Sequence, residues 1–350
     1  VHTRRSVLQL AGASLTMLAT RGLARAEPAA QLIADAKAEG QVVWYTGLII
    51  KQLVRPLTRN FQDKYGIEVK YMEAGDSDTV LKITSQARAG KIEADVFDTP
   101  GTALAPLEAA NLIEPYAPNS MADYDPMFKP ASKLYCGSDV LYLTTTYNTD
   151  LVPADKAPKT FDDLLDPQWK GRMVWTDTRG ISGPPGFIGN ILMTMGDEKG
   201  RAYLRKLSEQ KIVRDPGNQR VVIDKVISGE HQIGLMTYNH HAVISKGKGA
   251  PIAWVKMEPL VANLGAIALV RNSPHPNAAK LFLEYYFSDE AAYVIRDAGY
   301  PPVDARVPPK DPSISPVSGQ FKITMLKPEV ASPETEPLKS WLKIYDELFS

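Results

Sequence analysis

A single cysteine, Cys136, stands in a chain of 350 residues. No disulfide can form within the chain, and a chain this long buries enough apolar surface to do without one. Histidine is nearly as scarce: there are five, with no His-x3-His and no Cys-x-x-Cys, the spacings from which zinc sites are built. No apolar run reaches the roughly 20 residues that a membrane-spanning helix needs. There is no G-x-S-x-G elbow, no H-E-x-x-H, no P-loop and no dinucleotide fingerprint, so an enzyme has no motif to rest on. Heptads, repeats and low-complexity tracts are absent too. Charge of one sign is also lacking, with 40 basic and 40 acidic residues. The segment before Glu27 holds Arg4, Arg5, Arg21 and Arg25 and no acid, which leaves 36 basic against 40 acidic from Glu27 onward, a net of −4. That balance excludes a general nucleic-acid binder, which needs a basic surface.

What is present begins with an address. Thr3-Arg4-Arg5-Ser6-Val7-Leu8 carries a twin arginine, an apolar stretch runs from Val7 to Thr20, and Ala24-Arg25-Ala26 has the small-x-small pattern of a cleavage site. The order predicts a Tat-type signal peptide over 1–26, export to the periplasm, and a mature chain from Glu27. The remaining length suits two domains.

From there strands and helices alternate. A helix over 29–39 stops at Gly40, a strand follows over 42–45, and a helical pattern over 50–65 stops at Gly66 with Pro56 in its first turn or at a kink. Strands over 67–72 and 94–97 flank a helix over 79–89 for which Asp78 is the expected N-cap. This βαβαβ order predicts a parallel sheet covered on both faces. A β-rich run over 139–147 interrupts it. A second series then places strands at 173–176, 212–213 and 233–236 and helices at 187–195, 198–210 and 218–227. An extended run over 262–270 leads to helices over 277–287 and 289–296, and a helix over 338–348 ends the chain.

The strand at 233–236 breaks into Thr237, Tyr238, Asn239, His240 and His241. Open α/β sheets present ligand groups at the C-terminal ends of their strands, so this cluster is a candidate site.

Ala94-Asp95-Val96-Phe97 and the Ala-Ala-Asn-Leu-Ile-Glu-Pro segment over 109–115 resemble type 2 periplasmic solute-binding proteins of ABC importers. So do Tyr147-Asn148-Thr149, the Asp166–Gly171 segment, and Gly265–Ser273 with the helix that follows it. The nearest branch is the ferric-ion-binding group. The resemblance implies an α/β, two-lobed type 2 periplasmic binding protein fold, each lobe a mixed sheet flanked by helices, joined by two crossing strands near 141–147 and 262–270. Lobe one is then 27–140 and 268–350, and lobe two 147–262. The implied function is capture of a small molecule by hinge closure and delivery to membrane permease subunits, by a monomer without cofactor or catalysis.

The strand ends of lobe one place Tyr45, Thr46, Gly47, Asp76, Ser77, Asp98 and Thr99 at the cleft. Those of lobe two place Asp177, Arg179, Ser182, Gly183, Arg220, Tyr238 and Asn239 there. Arg179, Arg220 and the helix start at Gly183 suit an anion, which predicts a polar or anionic ligand of the phosphonate, sugar phosphate or carboxylate class. Ferric capture is the alternative, and an exported enzyme a remote one. Ferric-binding relatives use adjacent tyrosines with a histidine and an acid. Here those positions fall on Tyr238 and Asn239, near Ile49 and near Pro100. A metal is therefore not favoured; any metal would fall to Tyr238, His240 and His241, though adjacent histidines point in different directions.

Overall fold

The structure, a computed structural model, describes residues 27–350. The expected signal peptide over 1–26 lies outside the described residues. Among those described, no helix is long and apolar enough to cross a membrane.

Eleven strands form one hydrogen-bonded sheet. In chain order they are β1 (Gln41–Thr46), β2 (Glu68–Glu73), β3 (Val96–Pro100), β4 (Ile113–Glu114), β5 (Cys136–Asn148), β6 (Met173–Thr176), β7 (Val213–Asp215), β8 (Ile233–Tyr238), β9 (Ile252–Val255), β10 (Leu260–Val270) and β11 (Ile323–Met325). The main path runs β2-β1-β3-β10-β5-β8-β6-β7. β1, β2 and β3 are parallel, as are β8, β6 and β7, while β10 and β5 run antiparallel between the two groups. The long strands β5 and β10 are the expected crossings, and they pair with each other from Leu143 opposite Val261 to Cys136 opposite Ile267.

The helices are α1 (Ala30–Glu39), α2 (Arg55–Tyr65), α3 (Asp76–Arg88), α4 (Ala105–Ala109), α5 (Pro184–Met195), α6 (Asp197–Ser208), α7 (Gln219–Ile227), α8 (Asn239–Lys246), α9 (Pro276–Tyr286), α10 (Asp289–Asp297), α11 (Pro316–Gly319), α12 (Pro328–Ala331) and α13 (Glu336–Phe349). Gly40 and Gly66 end α1 and α2 at φ +76° and +72°, the left-handed conformation glycine adopts without strain. A π-turn over Ile50–Val54 leads into α2, so Pro56 sits in the helix's first turn, where its missing N–H is not needed. α3 begins three residues earlier than expected, with Gly75 as N-cap, and Asp78 lies inside the first turn.

Two main cores flank the crossing strands. The first gathers Trp44, Phe61, Tyr285 and Phe282, with the Trp44 and Phe282 rings 5.2 Å apart. The second gathers Trp175, Phe187, Ile191 and Leu235. The second also contains Leu326, Ala331, Leu338, Trp341, Ile344 and Tyr345. The expectation that 268–350 returns wholly to lobe one is therefore corrected. The chain leaves the first core after β11, which pairs with β10 at Leu260–Ala262, and α13 lies against α5. The reason is packing: the ring of Trp341 covers Gly189, where a Cβ would stand 2.6 Å from it.

Two buried carboxylates away from the sheet's strand-end turns, Asp95 and Glu284, are fully partnered. Asp95 accepts from Val43 N (2.7 Å) and from His275 N and Nδ1 (both 2.9 Å). Glu284 accepts from Tyr116 Oη (2.7 Å), Asn119 N and Ser120 N (both 2.9 Å). Buried carboxylates normally persist only with such partners.

Candidate functional site

A cleft of about 960 Å³ opens between the cores, at the C-terminal ends of the parallel strands. One wall comes from the turns after β1, β2 and β3; the other from the turns after β6, β7 and β8; β5 and β10 form its floor. Its size falls in the range of small-molecule sites, roughly 300–1,000 Å³.

On the first wall Thr46 is buried and its Oγ1 accepts from Leu48 N (3.1 Å), which shapes the turn. Gly47 lines the cleft and donates its N–H to Asp98 Oδ1 (3.2 Å). Asp98 Oδ2 and Thr99 Oγ1 also face this region, buried and without a partner. Asp76 opens α3 at the rim. Its side chain is exposed to solvent, and the protein around it at the cleft mouth pushes its carboxyl up to about 6. Ser77 occupies the next position of α3, and its side chain lies outside those described. Tyr45 is corrected: it is buried in the sheet, accepts from Gln86 Nε2 (2.9 Å) and does not line the cleft.

On the second wall Ser182 holds a small network. Its Oγ receives the Tyr238 hydroxyl (3.4 Å) and Asn263 Nδ2 (3.1 Å), while its carbonyl accepts from Gln219 Nε2 (2.7 Å). Arg220 lines the cleft, donating Nη1 to Ser245 Oγ (2.8 Å) and Nε to Asp224 Oδ2 (3.2 Å). Asn218 caps α7 by accepting from Arg220 N (2.9 Å) and Val221 N (3.2 Å). Tyr238 ends β8, and His241 lies one turn into α8 against its ring.

Four expected positions point elsewhere. Arg179 pairs with Asp346 of α13 (Nη1–Oδ1 2.7 Å, Nη2–Oδ2 2.9 Å) and is not part of the lining. Asp177 accepts from the Tyr345 hydroxyl and lies 3.7 Å from Arg214. Gly183 packs against Thr178 and is not part of the lining, and its N–H is donated to Gly180 O (3.0 Å). Asn239 is fully buried and donates Nδ2 to Ile314 O (3.1 Å). The first two were misplaced because their partners arrive with the terminal helix, far away in sequence.

Among the lining residues that the sequence reading missed, two carry free polar atoms on the cleft floor. Asp139 lies on β5, its Oδ2 accepting from Ser138 Oγ (2.9 Å) and its Oδ1 without a partner. Asn263 lies on β10, its Oδ1 likewise unpartnered. Each is a polar residue inside an apolar crossing strand, and that interruption was the available signal. Gly265 makes room for Asp139: a Cβ there would stand 2.4 Å from its carboxylate. Tyr300 also reaches the cleft.

Electrostatics follow burial. Asp98 is pushed up to about 7 by burial, with further push from Asp139 and Asp76, against hydrogen bonds from Thr46 and Gly47. Burial raises Asp139 to about 6. His241 falls to about 3 through burial and the nearby Arg220, and burial lowers His240 well below its usual value. Both imidazoles are thus neutral near pH 7. His240 faces Tyr300, ring centres 4.4 Å apart, and neither of its nitrogens has a partner. Among the described residues no three His, Cys, Asp or Glu side chains form a group that could hold a metal.

A two-lobed α/β fold with a polar, ligand-sized cleft at its strand ends defines a binding protein of the periplasmic type. Residues 57–317 match the bacterial extracellular solute-binding protein family, and the chain belongs to that family, which is non-enzymatic. It is 21% identical over 254 residues to the Fe(3+)-binding periplasmic protein of Serratia marcescens, covering 70% of this chain and 73% of that one. Iron-bound HitA from Pseudomonas aeruginosa superimposes with a TM-score of 0.71 at 21% identity, covering 88% of this chain and 99% of the other. The periplasmic binding protein AfuA from Actinobacillus pleuropneumoniae, with exogenous fructose-6-phosphate bound, gives 0.73 at 17% identity, covering 89% and 98%.

Proposed function

We propose that this chain is the substrate-binding component of a periplasmic ABC importer, exported by the twin-arginine route. It captures a small polar ligand bearing an anionic group by closing its lobes, and passes that ligand to permease subunits. The observation that carries this reading is the cleft itself. Oxygen atoms on its first wall and floor lack partners, at Asp98, Thr99, Asp139 and Asn263, and across from them stand Arg220 and Lys248. A protein maintains unpaired buried polar atoms at a cost of about 1–3 kcal/mol each, which a ligand's hydrogen bonds offset. The phosphonate, sugar phosphate and carboxylate classes each supply an anionic end for Arg220.

Ferric iron is the second reading, favoured by the Serratia relative and by two phenols, Tyr238 and Tyr300, in one cleft. Against it, Asn239 is turned toward Ile314 and the positions near Ile49 and Pro100 supply no ligand of the ferric type. Thermal-shift screening of protein from Glu27 onward separates the two, because a ligand specific to the folded state raises Tm. Stabilisation by a phosphonate, sugar phosphate or carboxylate and not by ferric citrate supports the first reading. A ferric-citrate shift with a tyrosinate–iron colour that Tyr238→Phe removes overturns it.

A further inference from the structure

The acids of the cleft differ from every structural acid described above. Asp95 and Glu284 have both oxygens satisfied by the fold. Asp98 and Asp139 are also buried, at 7% and 6% exposed, yet each keeps one oxygen without a partner. Beside them two uncharged acceptors are also left open, Thr99 Oγ1 and Asn263 Oδ1, in residues 4% and 3% exposed. No cationic side chain is hydrogen-bonded or ion-paired to Asp98, Asp139 or Asp76 among the described residues. The lining as a whole contains five carboxylates (Glu73, Asp76, Asp78, Asp98 and Asp139) against Lys51, Arg220 and Lys248, and Arg220 is already paired with Asp224.

From this we infer that the ligand carries a protonated amine, seated between Asp98 and Asp139 with Thr99 and Asn263 as further acceptors. The inference rests on the proposed reading of this cleft as the binding site and adds the chemistry of the ligand's other end. An ammonium group has three donors and no acceptor, which suits a corner whose free atoms are mostly carboxylate, hydroxyl and amide oxygens. A hydroxyl can donate only one hydrogen bond and brings no charge, so it would leave two buried carboxylates uncompensated. The raised affinities of both carboxyls for protons describe the same deficit: with no cation present, a proton is the available substitute. Gly265 shows that the corner is built, because any side chain at that position would occupy the space of the Asp139 carboxylate. With an anionic group at Arg220, the ligand is a zwitterion.

Calorimetry on the protein from Glu27 onward, at pH 7.5, tests this with matched pairs: phosphoethanolamine against ethyl phosphate, 2-aminoethylphosphonate against ethylphosphonate, β-alanine against propionate, and putrescine against butanol. The expected result is that the aminated member of at least one pair binds at least tenfold more tightly than its partner. Asp139→Asn and, separately, Thr99→Val should reduce that preference, with unchanged far-UV dichroism as the check on folding. Equal affinity within every pair overturns the amine, as does binding of a sugar phosphate lacking nitrogen with none of the aminated probes bound. In that second case the anionic-ligand reading survives. Tight binding of putrescine alone retains the amine and overturns the anionic end. Absence of binding by every probe overturns the amine, and absence of binding by sugar phosphates as well overturns both.

Discussion

Arg179 and Asp346 meet through two parallel hydrogen bonds of 2.7 and 2.9 Å, joining the loop after β6 to the terminal helix. The pair lies outside the cleft lining, so this guanidinium does not face the ligand. Arg179→Ala should therefore leave the affinity for any ligand within about twofold of the parent. Both side chains are about half exposed, so the pair is worth roughly 0–1 kcal/mol. Calorimetry with a thermal melt checks both statements; a tenfold loss of affinity would return Arg179 to the cleft.

The contact of α13 with α5 is apolar and stronger. Trp341 is 4% exposed and lies over Gly189 of α5. Trp341→Ala should lower stability by about 3–5 kcal/mol, and Gly189→Ala, which forces a methyl into the ring, by about 1–3 kcal/mol. Denaturant titration reads both. Equal stability of parent and Trp341→Ala would mean that α13 is not part of the second core.

Asp98 makes a prediction with a definite sign. Its folded value of about 7 lies above the ordinary carboxylate value of 3.8. The folded state therefore holds this proton more tightly than the unfolded chain. The stability so gained is fully present below the unfolded value and is lost as pH rises toward 7. The neutral histidines act in the opposite direction, losing stability as pH falls, so the wild-type curve alone is ambiguous. The difference between Asp98→Asn and wild type isolates the carboxyl. The variant should gain relative stability as pH rises from 5 to 8, by a few kcal/mol at most. Melting curves of the two proteins across that range give the answer; a flat difference would show that Asp98 is ionised in the fold as readily as in water.

Gly265 and Asp139 form a matched pair across the crossing strands. A Cβ at 265 would stand 2.4 and 2.5 Å from the two carboxylate oxygens. Gly265→Ala should displace that carboxylate and weaken ligand binding at least tenfold, with a smaller effect on Tm than Trp341→Ala. Unchanged affinity in this variant would place Asp139 outside the contact.

Strand order and strand-end loops were legible because they depend on local periodicity and on glycine stops. β6 lies where the sequence put it, at 173–176, and β8 extends the expected strand only to Tyr238. Asn218 and Ser288 cap α7 and α10 through contacts within three residues, a range over which sequence is informative. Charge partners were not legible in the same way. Arg179 and Asp177 sit where a cleft residue would sit, but residues 345 and 346 come back to them across more than 160 positions. Asp139 and Asn263 were hidden for another reason: attention to strand ends overlooks polar atoms in the middle of strands, and here the cleft floor is made from strand middles. The Tyr238 stretch was correctly located at a strand end, but its neighbours diverge, Asn239 turning into the protein and His241 toward the cleft.

The passage of the chain after β11 into the second core has a consequence for how the molecule is made. Leu338, Trp341, Ile344 and Tyr345 belong to a core whose other members were synthesised some 150 residues earlier, among them Trp175, Phe187 and Ile191. Until 336–349 has emerged, those earlier side chains have an uncovered apolar face. Completion of the second lobe therefore waits on the synthesis of 336–349, and a nascent chain halted before α13 leaves that apolar face uncovered.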